Sequence, residues 1–147
     1  MGKIKVERCD IEGLCVITPT VFKDDRGYFV ETYNKNDFAE AGLNMEFVQD
    51  NQSKSSKGVL RGLHFQKEHP QGKLVRVLSG KVYDVAVDLR KDSKTYGKYF
   101  GVILSDENKK QFYIPEGFAH GFAVLSDEAV FAYKCTDFYH PNDEGGL

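Results

Sequence analysis

The chain has 147 residues, 41% of them hydrophobic and 29% charged, with a formal net charge of −2. That length suits one domain, able to bury roughly 70% of its extended surface without disulfide staples. The charge balance leaves no basic field for a polynucleotide, and no apolar run is long enough to span a bilayer, so neither nucleic acid nor membrane is an expected partner.

The opening Met1 to Glu7 is charged and lacks the apolar centre of a secretory signal, and Gly2 is a poor myristoylation cue beside Lys3 and Glu7. Ile11 to Thr20 predicts a first strand, ended by Pro19. Lys23 to Gly27 is a turn, and Tyr28 to Tyr33 a second strand with Phe29 and Glu31 on one face. Asn36 to Gly42 reads as a short helix with an Asn or Asp cap and a glycine stop. Met45 to Gln52 predicts a strand, leading into a polar loop over Ser53 to Lys57. Val59 to Gln66 alternates: Val59, Arg61, Leu63 and Phe65 point one way, and Leu60, His64 and Gln66 the other. Gly62 leaves a gap on the polar side of that strand, where something can approach the backbone closely.

Leu74 to Leu78 and Val82 to Leu89 flank Ser79-Gly80-Lys81 as a hairpin. Strands over Tyr99 to Leu104, Gln111 to Pro115, Gly121 to Leu125 and Val130 to Thr136 follow. The tail from Pro141 to Leu147 has loop composition and no closing strand. Short strands at even spacing point to a sandwich or barrel rather than βαβ units. The reading is one all-β domain over residues 1–147 with one short N-terminal helix. Cys9, Cys15 and Cys135 cannot all pair and form no C-x-x-C clamp. They read as small hydrophobes in a reducing, cytoplasmic setting.

The chemistry concentrates in two stretches. Leu60 to Gln66 carries His64 beside a glycine gap, with Arg61 and Lys73 near, which suits an anionic substrate that exchanges protons. In Ile114 to Phe122, the Pro115-x-Gly117-x-x-His120 spacing resembles the second signature of the cupin superfamily, whose jelly-roll barrels hold a site inside the barrel. His120, between Ala119 and Gly121, also fits a hydrogen-bonded core residue. A metal cupin needs a His-x-His pair, yet Gln66 stands two after His64 and Gly62 two before it. The ligand set is incomplete, and no metal is expected. What remains is a pocket of His64, His120, Lys73, Arg61 and Tyr133, although an alternating tyrosine also fits core lining. Asp84 and Asp88 alternate with apolar residues, so one of them is expected to be buried against Arg61 or His64.

Five stretches in order carry a wider resemblance: Asp25-Arg26-Gly27-Tyr28-Phe29-Val30-Glu31, Gln49-Asp50-Asn51, Leu60 to Gln66, Gln71 to Val77, and Pro115 to Phe122. Together they resemble the dTDP-4-dehydrorhamnose 3,5-epimerase family, which belongs to the cupin superfamily. The resemblance implies a cupin-type jelly-roll barrel and a cofactor-free, metal-free epimerase acting on a 4-keto-6-deoxy sugar nucleotide. It implies His64 as base, Tyr133 as acid, and Lys73, with His120, as the stabiliser of an enolate oxygen. It further implies diphosphate contacts from Arg26 and Arg61. Phe29, Glu31, Gln49, Asp50 and Asn51 would contact base or sugar, Tyr139 would stack on the nucleobase, and Glu144 would add a polar contact. In that family Arg26 and its neighbours come from the partner subunit, so a homodimer is implied as well. Two departures stand out: the loop from Gln66 to Gly72 looks one residue shorter, and the family continues past Glu144 into a segment whose aspartate orients the catalytic histidine. With that segment missing here, Asp84 is one candidate to take its role. Alternative readings are a mono-epimerase, a sugar 3,4-ketoisomerase, and a non-catalytic nucleotide-sugar-binding barrel.

Overall fold

A computed structural model describes residues 3–146; Met1 and Gly2 of the opening, and Leu147 of the tail, lie outside the described residues. The strands are β1 (Ile4–Arg8), β2 (Cys15–Pro19), β3 (Val21–Asp24), β4 (Gly27–Val30), β5 (Gln49–Ser56), β6 (Leu60–Gln66), β7 (Lys73–Ser79), β8 (Lys81–Asp88), β9 (Tyr99–Ser105), β10 (Gln111–Ile114), β11 (Phe118–Val124), β12 (Glu128–Cys135) and β13 (Glu144–Gly146). One helix, α1 (Lys35–Glu40), lies between β4 and β5. A six-stranded sheet runs β1-β2-β10-β7-β12-β5 and a five-stranded sheet runs β13-β6-β11-β8-β9, while β3 and β4 pair only with each other. All pairings are antiparallel.

The alternating apolar residues of the two large sheets meet in one core. Val75, Phe112 and Phe131 come from the six-stranded sheet and Val82, Leu104 and Phe122 from the five-stranded one. This is the all-β barrel architecture expected from the strand spacing. A second cluster covers the outer face of the six-stranded sheet, where Cys15, Ile17, Leu74 and Tyr113 pack with Phe38 of α1 and with Leu43. The helix starts earlier than its composition suggests. Asn34 is the cap, accepting from the backbone N–H groups of Asn36 at 2.9 Å and Asp37 at 3.1 Å. Gly42, at φ +85°, supplies the expected stop.

Three expectations of local structure need correction. Ser79-Gly80-Lys81 is no hairpin, because β7 belongs to one sheet and β8 to the other. Gly80, at φ +95°, turns the chain through a corner where any Cβ would collide with the carbonyl of Glu128. Ser53 to Ser56 is strand rather than loop: the polar β5 pairs along its length with β12 at the sheet edge. The tail does add a strand, since β13 closes against β6 with Glu144 opposite Gln66 and Gly146 opposite His64. Polar edge strands lack the apolar alternation that marks a strand in sequence.

Candidate active site

His64 and His120 face each other as neighbours on β6 and β11, and the register then slips. Beyond that pair, Gly121 alone stands against Gly62 and Leu63, so Phe122 comes to pair with Arg61. Such a bulge shifts the phase of the side chains. As a result Arg61 and His64 line the same cavity, although simple alternation puts them on opposite faces. The glycine gap has a different occupant from the one expected. A Cβ on Gly62 would lie 2.6 Å from the carbonyl oxygen of His120, and one on Gly121 2.6 Å from that of Arg61. The two glycines let β6 and β11 approach, which brings the two imidazoles together.

The opposite wall comes from the other sheet. β7 and β12 are adjacent in register, Lys73 beside Cys135 and Val75 beside Tyr133. The Lys73 ammonium lies 5.6 Å from the centre of the Tyr133 ring. His64, His120, Arg61, Lys73, Tyr133 and Asn51 thus border one cavity of about 480 Å³, floored by Phe122 and Phe131. A second cavity of about 430 Å³ shares His64, Lys73 and His120 and continues toward Glu144 and Lys91.

Asp84 on β8 is fully buried, and both its oxygens lie 2.9 Å from Nε2 of His120. It therefore orients His120 rather than His64. Burial pushes its carboxyl upward, opposed by His120 and by the Lys73 charge. Burial in turn draws the Lys73 ammonium down, countered by the nearby Asp84 and Glu144 carboxyls. Burial raises the Tyr133 phenol, with a side-chain hydrogen bond from Asn51 offsetting part of the effect. The phenol therefore keeps its proton across the neutral range.

His64 is half exposed, with Nδ1 3.4 Å from the Glu144 carboxylate that β13 delivers. Glu144 also lies 3.4 Å from the Tyr139 hydroxyl. Gln49 accepts from the Tyr139 backbone N–H and donates to Asn51, each at 3.1 Å, so Gln49, Asn51, Tyr139 and Glu144 form one polar rim. Arg61 donates to Ser55 at 2.7 Å. Asp50 turns to the other side of its strand, where it meets Lys134 at 3.1 Å, and it does not join the cavity. Gln66 lines the second cavity with His64, on the face expected for it, and is itself buried as a clasp. It donates to the carbonyls of His69 and Phe138 and accepts from the His140 N–H.

The β3–β4 hairpin lies outside this cavity. Arg26 is exposed and pairs with Asp24 at 2.6 Å, Phe29 is 70% exposed, and Glu31 accepts from Asn34 at 3.2 Å. Within this chain none of the three borders the His64 cavity. Sequence reasoning missed the aromatic floor. Phe131 stands two residues before Tyr133, and that alternation was the available signal. The expected burial of Asp84 or Asp88 occurs in both, but against His120 and Arg90 respectively. Among the described residues, no group of three or more His, Cys, Asp or Glu side chains is placed to hold a metal ion.

The arrangement sets an imidazole and a phenol on opposing sheets with cationic side chains in the same cavity, groups of the kind that proton transfer at carbon beside a carbonyl requires. A family model described as dTDP-4-dehydrorhamnose 3,5-epimerase matches residues 8–147. The dTDP-4-dehydrorhamnose 3,5-epimerase of Methanothermobacter thermautotrophicus is 57% identical over the whole chain, which spans 80% of that relative. The solved structure of a dTDP-6-deoxy-D-glucose-3,5-epimerase from Legionella pneumophila, in complex with dTDP-4-keto-L-rhamnose, is 54% identical with a TM-score of 0.95. It covers 98% of this chain and 77% of its own. A dTDP-4-dehydrorhamnose 3,5-epimerase from Bacillus anthracis, solved with TDP and PPi bound, is 43% identical with a TM-score of 0.96 and covers 98% and 83% of the two chains.

Proposed function

The chain belongs to the dTDP-4-dehydrorhamnose 3,5-epimerase family, and from that premise we propose that it inverts C3 and C5 of a dTDP-linked 4-keto-6-deoxyhexose. The observation that carries the reading is that His64 and Tyr133, on opposite sheets, border one cavity that Lys73 and His120 also line. Both reacting carbons flank the C4 ketone, so one set of groups serves both.

His64 takes the proton from carbon, and the electron pair of the C–H bond moves onto the C4 oxygen as an enolate. Lys73 and His120 stabilise that oxygen. Tyr133 then gives its proton to the opposite face, the enolate collapses to the ketone, and the configuration at carbon is inverted. The imidazolium and the phenolate return to their starting states through solvent.

Arg61 suits the diphosphate because a planar guanidinium forks onto two oxygens. The rim of Gln49, Asn51, Tyr139 and Glu144 suits the nucleoside. A homodimer completes the reading: Arg26, Phe29 and Glu31 stand exposed on or beside a hairpin that belongs to neither large sheet, available to the cavity of a second copy. The free thiols of Cys9, Cys15 and Cys135 suit a reducing, cytoplasmic setting.

Incubation with dTDP-4-keto-6-deoxyglucose in deuterated water tests the reading. Deuterium is expected at both C5 and C3. Label at one carbon alone marks a mono-epimerase, and label no higher than the buffer control rejects the proposal.

A further inference from the structure

Below its polar groups the active-site cavity ends on two aromatic rings with no hydrogen-bonding atoms. Phe122 on β11 and Phe131 on β12 are 4% and 2% exposed, with ring centres 4.1 Å apart. Phe131 also lies nearly parallel to the His120 ring, at 6.1 Å and 18°, and 5.9 Å from the Tyr133 ring. Because one phenylalanine comes from each sheet, this floor reaches from the imidazole side of the cavity to the phenol side.

A hexose carries oxygen on almost every carbon, and a 6-deoxyhexose has one group that cannot hydrogen-bond, the C6 methyl on C5. We propose that Phe122 and Phe131 form the subsite for this methyl and select 6-deoxy over 6-hydroxy 4-ketohexoses, an inference that rests on the epimerase reading. Inversion at C5 swings the methyl from one side of the sugar ring to the other while C5 stays between base and acid. An apolar surface shared by both sheets receives the methyl in either position. A hydroxymethyl group there would give up water and face two ring surfaces that offer no partner. Apolar pockets reject an added hydroxyl by roughly 100-fold and little more, which sets the scale of the effect.

The test compares kcat/KM of the unmodified chain for dTDP-4-keto-6-deoxyglucose and for its 6-hydroxy counterpart, read by deuterium entering C5 and C3. A preference of about 100-fold for the 6-deoxy substrate is expected. Phe122→Tyr and Phe131→Tyr, which place a phenol in the floor, should each reduce that ratio roughly tenfold. A dTDP-linked pentose lacking C6 needs no variant, and should compete roughly tenfold less tightly than its 6-deoxyhexose counterpart. Equal rates with both hexoses, or equal binding of the pentose, overturn the subsite while leaving the epimerase reading intact. Absence of exchange with either hexose overturns both.

Discussion

Asp84 is a fully buried acid, and its two contacts with His120 show what offsets the cost of that burial. A carboxylate removed from water is stable only where cations and donors meet it, and here both His120 and Lys73 do so. The consequence passes to Lys73, whose charge in the proposed mechanism steadies the enolate. Burial lowers the Lys73 pKa from the ordinary ammonium value, while burial raises that of the Tyr133 phenol. Loss of the Lys73 charge is therefore expected to produce an alkaline fall in kcat/KM below the ordinary lysine value of about 10.4. Lys73→Arg, which keeps its charge, should lower kcat/KM but move that limb upward. A limb that stays in place in the variant would assign it elsewhere. Asp84 itself was legible as a buried acid, from its place among Val82, Val85 and Ala86. Its partner was not, because that depends on β8 and β11 lying side by side, a long-range choice. Alternation puts Arg61 on the wrong face for a related reason: a bulge between two strands leaves no mark in the alternation of either.

The turn between β8 and β9 is built around a second buried acid, with a structural task. Asp88 is fully buried and accepts from the Arg90 backbone N–H, the Arg90 guanidinium, and the hydroxyls of Ser93 and Thr95. Burial opposes its ionisation, but these donors outweigh burial and hold the carboxyl far below the usual range. Its folded pKa lies under the unfolded value of about 3.9, so in acid the unfolded chain binds the extra proton. The stabilisation is complete above that unfolded value and is lost as pH falls through it toward the folded one. Urea midpoints should hold steady from pH 7 to about pH 5 and drop toward pH 3, and Asp88→Asn should flatten that drop. An unchanged slope in the variant would remove Asp88 as its cause. Elements with clear periodicity, such as β8 and β12, could be read from sequence, as could the helix from its glycine stop. β5 and β13 could not, since their residues are polar or glycine and only their neighbours make them strands. The Ser79-Gly80-Lys81 corner looked like a hairpin because a glycine turn between two apolar runs does not reveal whether the chain stays in one sheet.

The β3–β4 hairpin joins neither layer of the barrel, and its apolar residues have no core of their own. Phe22, Tyr28 and Phe29 are 54%, 60% and 70% exposed. Three large aromatic side chains on ten residues of surface ribbon favour a partner surface, and the proposed homodimer, with Arg26 reaching a neighbouring cavity, would give that surface a use. A mixing experiment separates a shared site from a private one. His64→Asn and Arg26→Ala are each expected to lose most turnover as pure dimers. If Arg26 serves the neighbouring cavity, a mixed dimer pairs one doubly impaired site with one that has native His64 and native Arg26. Random exchange of equal amounts makes half the dimers mixed, so roughly a quarter of native activity should return. If Arg26 serves its own cavity, every site in the mixed dimer keeps one defect and nothing returns. Exchange is verified by mass-tagging one variant, so that a silent mixture with confirmed hybrids rules out the shared site.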